Sequence, residues 1–240
     1  MTKQREEMER VMYLIFEGLM LLSVAGLLTA FHFDLSTETI LLKTLASLFF
    51  VLTGVCGYVR YKDRRFFSRP VLIALLCSMA GDVLLALDRN QGILFILGVA
   101  GFAGAHVLFS IAFCRICPVT KKDVAWTAVI FIELVFLLFF GEFNFQGFLP
   151  VLIGYAAVIS FMTVKALSFW SCREGQKNFS VLIMTGGALF LLSDLVLLFW
   201  MFGVQRQEWV QWANWILYYS AQGCLAGALS AGHFRLTIFE

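Results

Sequence analysis

Long apolar runs separated by short polar stretches repeat along the whole chain. Eight runs, at about 11–31, 39–59, 71–87, 92–114, 123–141, 147–169, 180–202 and 210–232, are each roughly 17–23 residues long. That is the length a helix needs to cross a bilayer core. The connections between them are short, so one transmembrane domain filling residues 1–240 is expected, with no inserted soluble domain. The pattern predicts an all-α, polytopic membrane protein of eight transmembrane helices.

Composition agrees with the pattern. Hydrophobic residues make up 60% of the chain, charged residues only 14%, and mean hydropathy is +0.85. A soluble domain carries about 25% charged residues. The net charge of +2 says little about partners, and without a basic stripe there is no reason to expect nucleic acid.

The charges are segregated by loop. Lys3, Arg5 and Arg10 precede the first span; Arg60, Lys62, Arg64, Arg65 and Arg69 surround the second connection; Arg115, Lys121 and Lys122 the fourth; Arg173 and Lys177 the sixth; Arg235 follows the last span. The alternate connections hold only Arg89 and Arg206, fourteen basic residues against two. The positive-inside rule then places both termini in the cytoplasm and favours an even number of spans. The first run is long for a signal-peptide core and its flank is rich in Glu, so it is expected to remain as a span. Asn178-Phe179-Ser180 is a sequon on the expected cytoplasmic side and should stay unmodified. Cys56, Cys77, Cys114, Cys117, Cys172 and Cys224 all avoid the outward loops, so six reduced thiols are expected. Cys114 and Cys117 form a CxxC pair without the second pair that a structural zinc site requires.

A shift of 112 residues lays Asp82 on Asp194, Leu85 on Leu197 and His106 on Tyr218. The spans permit two parallel four-helix repeats related by an axis along the membrane normal. Gly98, Gly101 and Gly104 form one small-residue stripe, and Gly223, Gly227 and Ala231 another. Such stripes let helix backbones approach; packing inside the bundle is expected, with a homodimer seam as their other use. Pro70, just before the third span, and Pro150, near the start of the sixth, suit helix beginnings.

Against this apolar background the polar residues stand out. Asp82 and Asp194 each follow a small residue and precede an aliphatic run. A carboxylate at mid-membrane costs about 2.5–3.5 kcal/mol on insertion scales. At 1.5 Å rise per residue, Asp82 lies roughly 16 Å and Asp194 roughly 21 Å from the cytoplasmic ends of their spans. Lys43, His106, Glu133, Tyr218, Tyr219 and Gln222 also fall inside spans, while Lys165 is expected to snorkel to the cytoplasmic interface and Glu17 either to snorkel or to pair.

Two buried carboxylates sharing a site are driven to opposite protonation states, one acid and one anion. That pairing suits hydrolysis through an oxocarbenium-like state. A site inside the bilayer calls for a lipid-like substrate. Intramembrane acids and His also mark proton-coupled transporters, and a lipid-binding protein without turnover is a further alternative. No helix-breaking Gly/Pro pair accompanies either aspartate, which disfavours the transporter. A zinc hydrolase would need more His ligands in the bundle than His32, His106 and His233 provide, so no metal and no cofactor is expected.

At these residues the chain resembles the lysoplasmalogenase (YhhN-like) family of integral membrane proteins. Arg69-Pro70 followed by Gly81-Asp82 resembles the family's Pro-led third helix and its Gly-Asp motif. Ala105-His106, Ser193-Asp194 and Tyr218-Tyr219-Ser220-Ala221-Gln222 resemble, in order, the small-residue-His motif, the second aspartate and the Tyr-Tyr-x-x-Gln of the last helix. Two positions depart from the pattern. Lys43 is followed by Thr44 where the family often has Pro, and Phe109 stands where a Tyr is common. The resemblance implies cleavage of the vinyl ether of lysoplasmalogens to a fatty aldehyde and glycerophosphoethanolamine or glycerophosphocholine. It implies Asp82 and Asp194 as the catalytic pair, and Lys43, His106, Tyr218, Tyr219 and Gln222 as supporting residues; Glu133 joins the supporting candidates on its depth near mid-span five alone. It also implies a multi-pass protein of the cell membrane, if the source is bacterial, with membrane lipid and a lysophospholipid substrate as partners.

Overall fold

The computed structural model describes residues 3–60, 65–88, 92–172, 177–204 and 207–231 of the 240, with side chains from residue 11 onward. Lys62, Arg64, Arg89, Arg173, Arg206, Arg235 and His233, and the side chains of Lys3, Arg5 and Arg10, lie outside the described residues. Eight α-helices follow one another among the described residues: α1 (Lys3–His32), α2 (Ser36–Arg60), α3 (Arg65–Leu87), α4 (Ile93–Cys114), α5 (Lys121–Phe140), α6 (Leu149–Leu167), α7 (Lys177–Phe202) and α8 (Glu208–Ala228). Seven of them are long and apolar enough to cross a membrane. The eighth, α8, carries Gln211, Asn214 and Gln222, and all three are buried against the bundle.

Consecutive helices pair: α1 with α2, α3 with α4, and α7 with α8. Contacts of α2 with α8 and of α4 with α6 join the pairs into one bundle. The α5 helix packs mainly on α6 and leaves most of its surface facing outward. Where α3 crosses α4 the backbones touch. A Cβ on Gly81 would lie 2.8 Å from the Phe102 ring and 3.1 Å from the Gly98 carbonyl oxygen, so only glycine fits there. The stripe of Gly98 and Gly101 therefore packs against α3, inside the bundle. Gly223 and Gly227 face Glu17 and Tyr13 of α1 in the same way.

Local chemistry sets the helix ends. Asp88 accepts hydrogen bonds from the backbone N–H groups of Gly92 and Phe95, fixing the first turn of α4. Thr120 and Asp123 form a reciprocal capping box on α5. The α5–α6 connection turns through Gln146 and Gly147, both at positive φ, with Gly147 at +91°. Just before that turn the connection folds back, and Asn144 donates its N–H to the Phe202 carbonyl. This return places the start of α6 at Leu149, two residues later than the apolar run suggests.

Three expectations change. Pro70 lies inside α3, not before it. A proline has no N–H for the carbonyl four residues back, which here is that of Phe66. The guanidinium of Arg115, from the end of α4, donates to that same carbonyl. Lys165 does not snorkel: it is fully buried and its Nζ lies 2.9 Å from Asp123 Oδ2 and 3.3 Å from the Pro118 carbonyl. Its ammonium finds a carboxylate inside the fold and has no need of the interface. Cys117 and Cys172 form a disulfide across the α4–α5 and α6–α7 connections, their Cα atoms 6.0 Å apart. Compartment reasoning missed it because residues 55 apart in sequence become neighbours only after folding.

Candidate active site

Two carboxylates, two sets of partners and two adjoining cavities make up the site. Asp82 is 2% exposed on the inner face of α3. Its Oδ2 accepts hydrogen bonds from Ser47 Oγ of α2 at 2.7 Å and from Tyr218 OH of α8 at 2.7 Å. Its Oδ1 lies 3.3 Å from Lys43 Nζ, one turn before Ser47 on α2. Tyr219 OH in turn donates to the Lys43 carbonyl at 3.1 Å and lies 3.4 Å from Ser47 Oγ, bracing this part of α2 against α8. Both carboxylate oxygens of Asp82 thus face donors, which offsets the cost of burying them.

Asp194, on α7, has a different setting. Its Oδ2 accepts from Tyr155 OH of α6 at 2.6 Å and lies 3.1 Å from His106 Nε2 of α4. His106 Nε2 and Tyr155 OH are themselves 2.8 Å apart, so the three groups form a closed triangle. His106 is fully buried against the Phe190 ring, 4.6 Å between centroids, and its Nδ1 has no hydrogen-bond partner. No cation stands beside Asp194 among the described residues unless His106 is protonated. Next to it, Asn214 Nδ2 of α8 donates to the Ser193 carbonyl at 2.9 Å and lies 3.0 Å from Ser193 Oγ, locking α8 to α7 beside the site.

Both aspartates line one polar chamber, together with Lys43, Ser193, Asn214 and Tyr218. It sits at the end of the bundle where α1, α3 and α7 finish and α2, α4 and α8 begin, walled there by Phe31, Trp200 and Trp215. A second cavity runs between α4, α5, α6 and α7 and is almost wholly apolar, lined by residues such as Val99, Leu134, Leu138, Leu152 and Ala156. Asp194 borders this groove too. Leu85, Phe102, Leu197 and Met201 complete the shared wall. Phe95 and Phe202 close the groove at the end where the α5–α6 connection folds back.

Of the residues singled out in the sequence, Asp82, Lys43 and Tyr218 come together, as do Asp194 and His106. Tyr219 supports the first group through the α2 backbone. Gln222 is fully buried one turn beyond Tyr218, and its amide reaches neither carboxylate. Glu133 stays outside: its side chain is exposed on the outer face of α5 and lines neither cavity. The sequence reading missed Ser47, Tyr155, Asn214 and Ser193. Ser47 could have been found, since it is one helical turn from Lys43. Tyr155 is a lone phenol in mid-span, a group that seeks a partner in hydrocarbon. Glu17 turns toward α8, where its Oε2 would sit 3.2 Å from a Cβ on Gly223. Among the described residues no group of three or more His, Cys, Asp or Glu side chains gathers in a way that could hold a metal ion.

A model of the YhhN family matches residues 38–229, from the start of α2 to just past the end of α8. The chain belongs to the YhhN family. Both aspartates, their hydrogen-bond partners and, apart from Phe31 of α1, the lining of both cavities fall within the matched span of this YhhN protein. No curated protein and no solved structure matches the chain.

Proposed function

We propose that this protein is an intramembrane hydrolase that cleaves the vinyl ether bond of lysoplasmalogens, releasing a fatty aldehyde and a glycerophosphoethanolamine or glycerophosphocholine. One observation carries the reading: Asp194 stands in the wall shared by a polar chamber and an apolar groove, and Asp82 borders the same chamber. A single-chain amphiphile lying across that wall puts its hydrocarbon in the groove and its head in the chamber. The bond that joins the two parts then falls beside Asp194. That the YhhN family includes lysoplasmalogenases supports the reading.

The surroundings of the two acids suggest different roles. Asp82 has an ammonium at 3.3 Å and two hydroxyl donors, partners suited to holding an anion. Asp194 has a phenol and an imidazole instead. A charged His106 ring would leave a buried N–H without an acceptor at Nδ1, so a neutral ring fits best. We assign the proton donor to Asp194. Oδ2 is held by Tyr155 and His106, and Oδ1 carries the proton toward the substrate.

In the proposed sequence Asp194 protonates the vinyl carbon distal to the ether oxygen. The cation that forms is shared between the other vinyl carbon and that oxygen, and the Asp82 carboxylate stabilises it. Water attacks this carbon and passes a proton back to Asp194, giving a hemiacetal. Transfer of the hemiacetal O–H proton to the glycerol oxygen breaks the carbon–oxygen bond and yields aldehyde and alcohol. General acid catalysis of this kind contributes about 10²–10⁴-fold.

The test is direct. Purified protein in detergent should release aldehyde from a lysoplasmalogen without a gradient or partner. Asp194→Asn should remove turnover at unchanged melting temperature. Aldehyde release undiminished in Asp194→Asn would refute the assignment. Gradient-dependent movement of intact solute, with no aldehyde, would make the protein a transporter.

A further inference from the structure

A third cavity lies at the opposite end of the bundle, between the start of α5 and the end of α6. It is roomier than either cavity of the candidate site. Lys121, Lys122 and Thr120 line it on the α5 side, and Trp170 and Ser171 on the side that follows α6; Trp126 stands one turn deeper. Both indoles are open to the surroundings, Trp126 at 62% and Trp170 at 84% exposure. Tryptophans so placed at the ends of membrane-spanning helices mark the level of lipid headgroups.

The charge of this groove is one-sided. Its carboxylate, Asp123, is already held by the buried Lys165 ammonium and by the Thr120 backbone N–H. Among the described residues neither Lys121 nor Lys122 has an acidic side chain within 4 Å. Among the described residues the groove therefore presents two ammonium groups without an acidic partner beside two exposed indoles. An occupant that answers both must bring negative charge and an apolar body at headgroup depth.

We propose that this groove binds the headgroup of one anionic phospholipid, its phosphate between Lys121 and Lys122 and its glycerol and upper chains against Trp126 and Trp170. The site is separate from the chamber and groove of the two aspartates. It does not depend on what those aspartates catalyse.

Native mass spectrometry of the detergent-purified protein, titrated with phosphatidylglycerol or with phosphatidylcholine of the same chains, tests the assignment. Phosphatidylglycerol should bind about 30-fold more tightly, the order expected for two lysines at an anionic surface. The paired substitution Lys121→Gln and Lys122→Gln should abolish that preference at unchanged melting temperature. The paired Lys→Arg change should keep it, and Trp170→Ala should weaken both lipids alike. Equal binding of the two lipids, or a preference that survives the Gln pair, overturns the proposal. Displacement of the lipid by glycerol 3-phosphate alone would also overturn it, because the groove would then be a site for soluble phosphate.

Discussion

Lys43 and Tyr155 hold equivalent stations, 112 positions apart, and each reaches the aspartate of the helix that follows its own. The same offset relates His106 to Tyr218, and here the halves cross over: His106 of α4 meets Asp194 of α7, while Tyr218 of α8 meets Asp82 of α3. The contacts of α2 with α8 and of α4 with α6 repeat the exchange at the level of whole helices. This is the pattern that two parallel repeats about a twofold axis would produce. The departure from symmetry is chemical, an ammonium in one half and a phenol in the other, and it is what suggests different duties for the two acids.

Replacing Tyr155 with Phe removes the 2.6 Å donor from Asp194 and the neighbour of His106 while keeping the ring. Turnover of lysoplasmalogen should fall about 10–100-fold, with stability reduced by about 1 kcal/mol. Steady-state kinetics should show the loss in kcat more than in KM. An unchanged kcat would mean that the phenol only packs.

Ala156 is buried in the wall of the apolar groove. Ala156→Phe should shorten the space for hydrocarbon. Cleavage of long-chain substrates should drop about tenfold in kcat/KM, the size of effect that a blocked apolar pocket produces, whereas short-chain substrates should be spared. An equal loss at every chain length would place the chain elsewhere.

The buried pair of Lys165 and Asp123 should behave as an all-or-none unit. Lys165→Met alone leaves a carboxylate without its cation and should cost about 3–5 kcal/mol. Combining it with Asp123→Asn should recover much of that loss. Thermal unfolding in detergent gives both numbers; a double variant no better than Lys165→Met alone would contradict the coupling.

Arg115 and Pro70 should be coupled through the Phe66 carbonyl. Arg115→Ala in the natural background leaves that carbonyl without its donor and should cost about 1 kcal/mol. In a Pro70→Ala background the restored backbone N–H takes over, so the same change should cost little. A double-mutant cycle of melting temperatures measures the difference. Additive costs would show that the guanidinium serves another purpose.

The helices were legible in the sequence because hydrocarbon enforces long apolar runs, and the observed boundaries differ by a few residues at most ends. Asp82, Asp194, Lys43 and His106 were legible because a titratable group costs so much at that depth. Which groups meet was not legible. Lys165 reads as an interfacial lysine until the fold brings Asp123 beneath it, 42 positions away. Glu133 reads as an intramembrane acid of the same kind as Asp82, yet α5 turns it outward. Ser47 and Ser193 are small hydroxyls that helices tolerate anywhere, so nothing local marks them as partners.

The shared wall at Asp194 has a further effect on an amphiphile divided there. One fragment is left in a channel bordered by the loosely docked α5, from which it can slip sideways among the lipid tails. The other is left in the chamber, at the end of the bundle walled by Phe31, Trp200 and Trp215. On the proposed hydrolysis, products of opposite solubility would thus part on different sides of that wall, and neither would have to pass the other on the way out.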